Sequence, residues 1–210
     1  LMPTMHFRRG PEYVSQTLVE LMKPLSVDRK TVEAAVKEAY SAQSEFRQAL
    51  LRMGAQALSD LTEKDELGIV LVGRPYNMYD GGINMDVPDK LRKYYGVNVI
   101  PMDFLPLWDE DVRSVNPNMY WNYGRKILQA AKVISAYPNL HVIYMTNFKC
   151  GPDSYIKHFM AEASPEPFLT LQFDEHTNDA GAMTRCEAYL DSKGFLRWWS
   201  RERADVARSA

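Results

Sequence analysis

The chain has 210 residues, 46% of them hydrophobic and 25% charged, with a formal net charge of −2. That size and composition suit one soluble α/β domain with a helical appendage, and the near-neutral charge excludes a global basic field for nucleic acid or an anionic membrane. The basic clusters at Arg8-Arg9 and from Arg197 to Arg208 alternate with acids and read as solvated ends. No apolar run approaches the roughly 20 residues that span a bilayer. No leader is visible either: Leu1-Met2-Pro3-Thr4 lacks a basic region followed by an apolar one, and a start at Leu1 points to a longer parent. Two cysteines, Cys150 and Cys186, are too few for a disulfide scaffold, so a cytoplasmic location is expected.

Residues 1–66 read as helical. Val14, Leu18 and Leu21-Met22 recur at helical spacing over about 11–23, and Pro24 stops them. A longer helix follows from Arg29 to Leu61. Its apolar positions Val32, Val36, Ala39, Phe46, Leu50, Met53 and Ala57 form one stripe, with Asp28 as N-cap. This stripe is expected to cover the α/β body or to bridge to the rest of the parent.

Residues 67–210 alternate between strand and helix. Strands are expected at Leu67–Val72, Val97–Met102, His141–Thr146 and Phe168–Phe173. Helices are expected at Asp86–Tyr95, Asn118–Tyr137, Pro152 to Ala161 and Ala180–Ser192. Gly81-Gly82 reads as a flexible turn. Strands separated by helices give βαβ units, and the fold class is α/β: a four-stranded parallel flavodoxin-like sheet in the order 2-1-3-4.

In such sheets the chemistry lies in the loops beyond the carboxyl ends of the strands. Here those loops carry Gly73-Arg74-Pro75-Tyr76-Asn77, Asp103-Phe104-Leu105-Pro106, the stretch from Asn147 to Ser154, and Asp174-Glu175-His176. The switch point between the first and third loops sets Arg74 near Cys150. Cys150 stands between a strand and a helix N-terminus, where a thiolate is stabilised, although a small cysteine filling a turn fits the same pattern. Cys186 falls on an apolar helix face and reads as core. His176 reads equally as a base, as a cluster neighbour or as a capping group. Gly73-Arg74-Pro75 lacks the further glycines of a phosphate loop, which leaves Arg74 as an anion contact or a carboxylate partner. A cubane needs about four ligands, and no C-x-x-C or H-x-x-x-H spacing is present, so any further thiolates come from elsewhere.

Several of these blocks together resemble a known family. Val72-Gly73-Arg74-Pro75-Tyr76-Asn77 resembles the "GRPYN" segment of the large activase-related proteins of the 2-hydroxyacyl-CoA dehydratase system. Further similar blocks are Ile100 to Pro106, Asn118-Met119-Tyr120-Trp121, Thr146 to Ser154, Asp174-Glu175-His176, Asp179-Ala180-Gly181 and Thr184-Arg185. The resemblance implies an ATP-linked iron–sulfur electron-transfer protein of anaerobes, related to double-cubane cluster proteins. On that reading Cys150 is one ligand of a [4Fe–4S] or double-cubane cluster. Arg74, Tyr76, Asn77, Asp103, Asn147, Asp153, Asp174 and His176 are the residues around it.

The implied partners are the remainder of the parent with its ASKHA-type ATPase module, a 2-hydroxyacyl-CoA dehydratase, and a second copy in a homodimer. The isolated chain is expected to hold no cluster, to hydrolyse no ATP and not to be catalytic alone. Lys149 stands where the relatives carry a small residue, and Cys186 where they carry an aliphatic, so Cys186 inherits no ligand role. Two other readings are a docking module without a cluster and a small-molecule enzyme using Arg74, Asp103 and His176.

Overall fold

The structure is a computed structural model that describes residues 4–147, 151–164, 166–175 and 178–196. Contacts divide the chain into two units, residues 1–52 and 53–210. In the first unit, α1 (Gly10–Met22) and the start of α2 (Arg29–Glu63) bury Val14, Val32 and Val36 together. Asp28 starts α2 as the sequence predicts. Its carboxylate accepts from the Thr31 N–H at 2.9 Å and from the Thr31 hydroxyl at 2.7 Å, satisfying a donor that the helix cannot. The expected apolar stripe is present but largely bare: no residue between Val36 and Gly54 is buried, and Phe46 is 60% exposed. Helical spacing fixes which residues share a face, but it does not supply a partner for that face.

In the second unit, the last turns of α2 return to a core through Leu58 and Leu61. Strand β1 (Gly68–Gly73) is buried along its whole length, as a central parallel strand covered on both faces should be. After it come α3 (Pro75–Tyr79), α4 (Gly81–Asn84), α5 (Val87–Tyr95), β2 (Asn98–Pro101), α6 (Asn122–Ser135), β3 (Leu140–Asn147), α7 (Gly151–Ala163), β4 (Leu169–Phe173) and α8 (Ala180–Ser192). The strands are all parallel in the order β2-β1-β3-β4, as expected. Helix α6 lies against α7 and α5 against α8, the pairing that right-handed crossovers impose on this strand order.

The region after β1 departs from the sequence reading. Gly81-Gly82 is not a flexible turn but opens α4, where the Asp80 carboxylate accepts from the N–H groups of Gly82 and Ile83. A side chain on Gly81 would meet the Asp86 carboxylate, which would have to swing aside to admit it. Met85 and Asp86 follow with φ of 54° and 55°, a left-handed pair that L-residues resist. The pair is held in place locally: Asn84 Oδ1 accepts from the Asp86 N–H at 3.1 Å, and Lys90 Nζ donates to the Met85 carbonyl at 2.7 Å.

At the outer edge of the sheet β2 has only four residues and ends in Pro101, which has no N–H. Its first side chain is tied on both sides. Asn98 Nδ2 donates to Glu66 Oε2 at 2.7 Å, and Arg92 Nη1 donates to Asn98 Oδ1 at 2.8 Å. Beyond β2, the long connection to α6 makes two short 3-10 turns, Met102–Phe104 and Leu107–Asp109. Leu105, Leu107 and Val112 anchor it in the core.

Candidate functional site at the carboxyl edge of the sheet

Arg74 follows β1 and takes an extended conformation as the N-cap of α3, with Pro75 in the first helical position. Its Nη2 donates to Asp153 Oδ1 at 3.0 Å, and its Nη1 donates to the Tyr76 hydroxyl at 3.0 Å. Asp153 lies in the first turn of α7 with its side chain only 4% exposed. Its second oxygen accepts from the Thr146 hydroxyl at 2.6 Å. One buried carboxylate therefore joins the ends of β1 and β3 to the start of α7, across the switch point. Gly73 allows the two strands to close there, because a methyl group on it would collide with the Met145 carbonyl oxygen.

Asn77 is fully buried beneath this group, and its Nδ2 donates to the Met145 carbonyl at 3.4 Å. Asn84 Nδ2 in turn donates to the carbonyls of Asn77 and Met78, both at 3.0 Å. The Asn77 Oδ1 has no hydrogen-bond partner among the described residues. The same holds for the Oδ1 of Asn147, the last residue of β3.

Asp103, beyond β2, makes a second cluster. Lys126 Nζ of α6 is 3.3 Å from Asp103 Oδ1, and the Tyr79 hydroxyl donates to Oδ2 at 3.4 Å. The ammonium also lies over the rings of Tyr123 at 4.7 Å and Trp108 at 5.3 Å, a cation–π arrangement. Burial, with the Asp103 charge added to it, raises the hydroxyl pKa of Tyr79 and of Tyr123, so both remain protonated donors. Tyr79, Thr146 and Lys126 were not legible as site residues, because their roles rest on distances between separate loops.

Of the expected site residues, Arg74, Tyr76, Asn77, Asp103, Asn147, Asp153 and Asp174 all lie at or beyond the carboxyl ends of strands on this edge. They do not make one cluster. Arg74, Tyr76 and Asp153 meet, Asp103 belongs with Lys126, and Asp174 is exposed beyond β4. Cys150 and His176 lie outside the described residues. Cys186 is buried on α8, and burial pushes its thiol up to about 12, so it is no thiolate. No group of three or more His, Cys, Asp or Glu side chains suited to a metal ion occurs among the described residues.

Exposed aromatic rings surround the edge: Tyr76, Tyr79, Trp108, Tyr120, Trp121 and Tyr155. Tyr120, Trp121, Tyr155 and Phe159 form a run of ring contacts with centroids 6.2, 5.9 and 4.8 Å apart. Among the described residues, no helix is long and apolar enough to cross a membrane.

Comparison with known proteins returned one family. The model of the CoA enzyme activase uncharacterised domain matches residues 1–105, which include β1, β2 and the loops carrying Arg74 and Asp103. No curated protein and no solved structure matches the chain. The matched residues make up half of the sequence, and the chain belongs to the CoA enzyme activase domain family.

Proposed function

We propose that this chain is the cluster-loop domain of an iron–sulfur electron-transfer protein in the 2-hydroxyacyl-CoA dehydratase activator group. Cys150 supplies one thiolate to a [4Fe–4S]-type or double-cubane cluster, and the remaining ligands come from the rest of the parent chain. The observation that carries this reading is the Arg74–Asp153–Thr146 link, which ties the end of β3 and the first turn of α7 to β1. It fixes both flanks of the loop that holds Cys150. The residues present suit a shared group better than a self-contained one. Among the described residues, a Cβ on Gly151 would meet nothing within 4 Å.

Each of this chain's residues then has a role. The free N–H groups and dipole of α7 favour a thiolate just before its first turn. Asp153 neutralises Arg74, so the pair orients the loop without adding net charge to it. The aromatic rim keeps water from the loop once a partner covers it. The group, when bound, supplies a low-potential one-electron site. Electrons arrive from an ASKHA-type ATPase module of the parent, and a 2-hydroxyacyl-CoA dehydratase receives them.

The exposed aromatic rings favour a second reading, in which the edge docks a dehydratase or reductase partner without any cluster. Iron content and low-temperature electron paramagnetic resonance of the anaerobically purified full-length protein separate the two. The cluster reading expects Cys150→Ala to lose iron and signal while Cys186→Ser retains both. Full iron and an unchanged signal in Cys150→Ala would sink it.

A further inference from the structure

A groove of about 680 Å³ runs beside the edge strand β2, and every residue lining it belongs to the second unit. Its size is that of a small-ligand site. Leu61, Leu71, Met78 and Ile100 give it an apolar floor. Its walls come from the last turns of α2 and from α5, and both helices run toward the amino end of the sheet. Gly54 of α2 packs against the Phe104 carbonyl beyond β2, whereas Leu61 reaches Gly68 at the start of β1. Helix α5 leads through Gly96 directly into β2 and runs antiparallel to it.

The two walls carry their charges in the same order. On α2, Asp60 stands one turn before Lys64; on α5, Asp86 and Asp89 stand before Arg92. Carboxylates therefore gather toward the carboxyl end of β2 and cations toward its amino end. Among the described residues, no ion pair joins the two walls, the Asp86 and Asp89 carboxylates accept no hydrogen bond, and Lys64 Nζ donates none. Arg92 meets an amide instead of a carboxylate. Its Nη1 donates to Asn98 Oδ1 at 2.8 Å, while Asn98 Nδ2 donates to Glu66 Oε2 at 2.7 Å. Glu66 is the lining acid at the cationic end, and that bond occupies it.

We propose that this groove binds a linear zwitterion: an ammonium at one end, a carboxylate at the other and an unbranched apolar chain between them. The ammonium sits by Asp86 and Asp89, the carboxylate by Lys64 and Arg92, and the chain lies on Leu71, Met78 and Ile100. A plain cation leaves Lys64 and Arg92 unanswered, and a plain anion leaves the aspartates so. The helices also set the length. At about 1.5 Å of rise per residue, Asp60 and Lys64 lie about 6 Å apart along their axis and Asp86 and Arg92 about 9 Å. An extended six-carbon ω-amino acid matches that interval, and a four-carbon one falls short. The charges lining the groove are largely open to solvent, so the affinity is modest.

Titration of the isotope-labelled chain with 6-aminohexanoate, followed by amide nuclear magnetic resonance, tests the site. Saturable shifts are expected in α5 and from Asn98 to Ile100, with a dissociation constant of about 0.1–1 mM. Hexylamine and hexanoate, which each keep one charge, and the shorter 4-aminobutanoate are expected to bind about ten-fold more weakly. Asp89→Asn and Lys64→Gln change exposed side chains and should leave the fold intact. Each is expected to weaken 6-aminohexanoate about three- to ten-fold. Asp89→Asn should leave hexanoate binding unchanged and Lys64→Gln hexylamine binding, a split that general damage to the groove would not give. No saturable shift up to about 20 mM overturns the proposal. So does hexylamine or hexanoate binding as tightly as 6-aminohexanoate, or a 6-aminohexanoate affinity indifferent to both variants. None of these readouts depends on iron, so the outcome is independent of Cys150.

Discussion

The two units of this chain reach order by different routes. Residues 53–210 bury a continuous core, with β1 enclosed on both faces and a carboxylate stitched into the switch point. Residues 1–52 rest on Val14, Val32 and Val36, and their longest helix leaves its middle turns in water. A 35-residue helix is held at its two ends and is otherwise supported by propensity and local pairs such as Gln56 to Asp60. The contrast teaches that regular backbone is no measure of stability here. The smaller unit should open first and independently.

The largest break in this contrast comes at the stitch. Asp153→Ala strips Arg74 and Thr146 of their shared partner in a site that water scarcely reaches, and it should cost about 2–3 kcal/mol. Urea unfolding monitored by tryptophan fluorescence checks this through a lowered midpoint at unchanged slope. An unmoved midpoint would mean that the pair orients the loop without stabilising the fold.

A smaller and local effect is expected from Val36→Ala. The lost packing, about 1–2 kcal/mol, falls on a unit with only two other buried apolar residues among those described. Amides of α1 and of the first turns of α2 should exchange about 5–30-fold faster, while those of β1 and β3 stay unchanged. Uniform acceleration through both units would show that they unfold together.

The subtlest effect concerns alkali. Burial raises the Cys186 thiol from 9.0 to about 12. Below about pH 9 both folded and unfolded chains keep that proton, and its contribution to stability is complete. Above that, the unfolded chain ionises first, so stability declines as pH rises toward 12. Tyr189, raised from 10.0 to about 12, adds to the same slope from about pH 10. The thiol's share is therefore cleanest between about pH 9 and 10. Cys186→Ser should flatten the decline in that window, measured as melting temperature against pH. An identical slope in the variant would remove Cys186 from the account.

Much of the fold was legible because its signals are local. Strand β1 is an unbroken apolar run, Gly96 stops α5 and Asp28 caps α2, and none of these needs a distant partner to be read. Strand order then followed from connectivity and handedness. What failed to show was whatever depends on approach across space. Gly81-Gly82 looks like a loose turn until Asp86 folds back on it. Arg74 reads as an anion contact or a carboxylate partner, and only the approach of Asp153 decides for the second. Lys126 looks like an ordinary helix-surface charge until Asp103 and two rings enclose it. The α2 stripe shows the same limit from the other direction, since spacing reads its pattern but not what covers it.

The short outer strand has a consequence for how the molecule behaves in a crowded solution. Open sheet edges are templates onto which further strands can add, and that addition is how many proteins precipitate into fibres. Strand β2 ends in Pro101, and its Asn98 side chain is clamped between Glu66 and Arg92. This side of the sheet offers a newcomer few donors and little length. Growth by strand accretion is blunted on this side even when copies of the chain are packed close together.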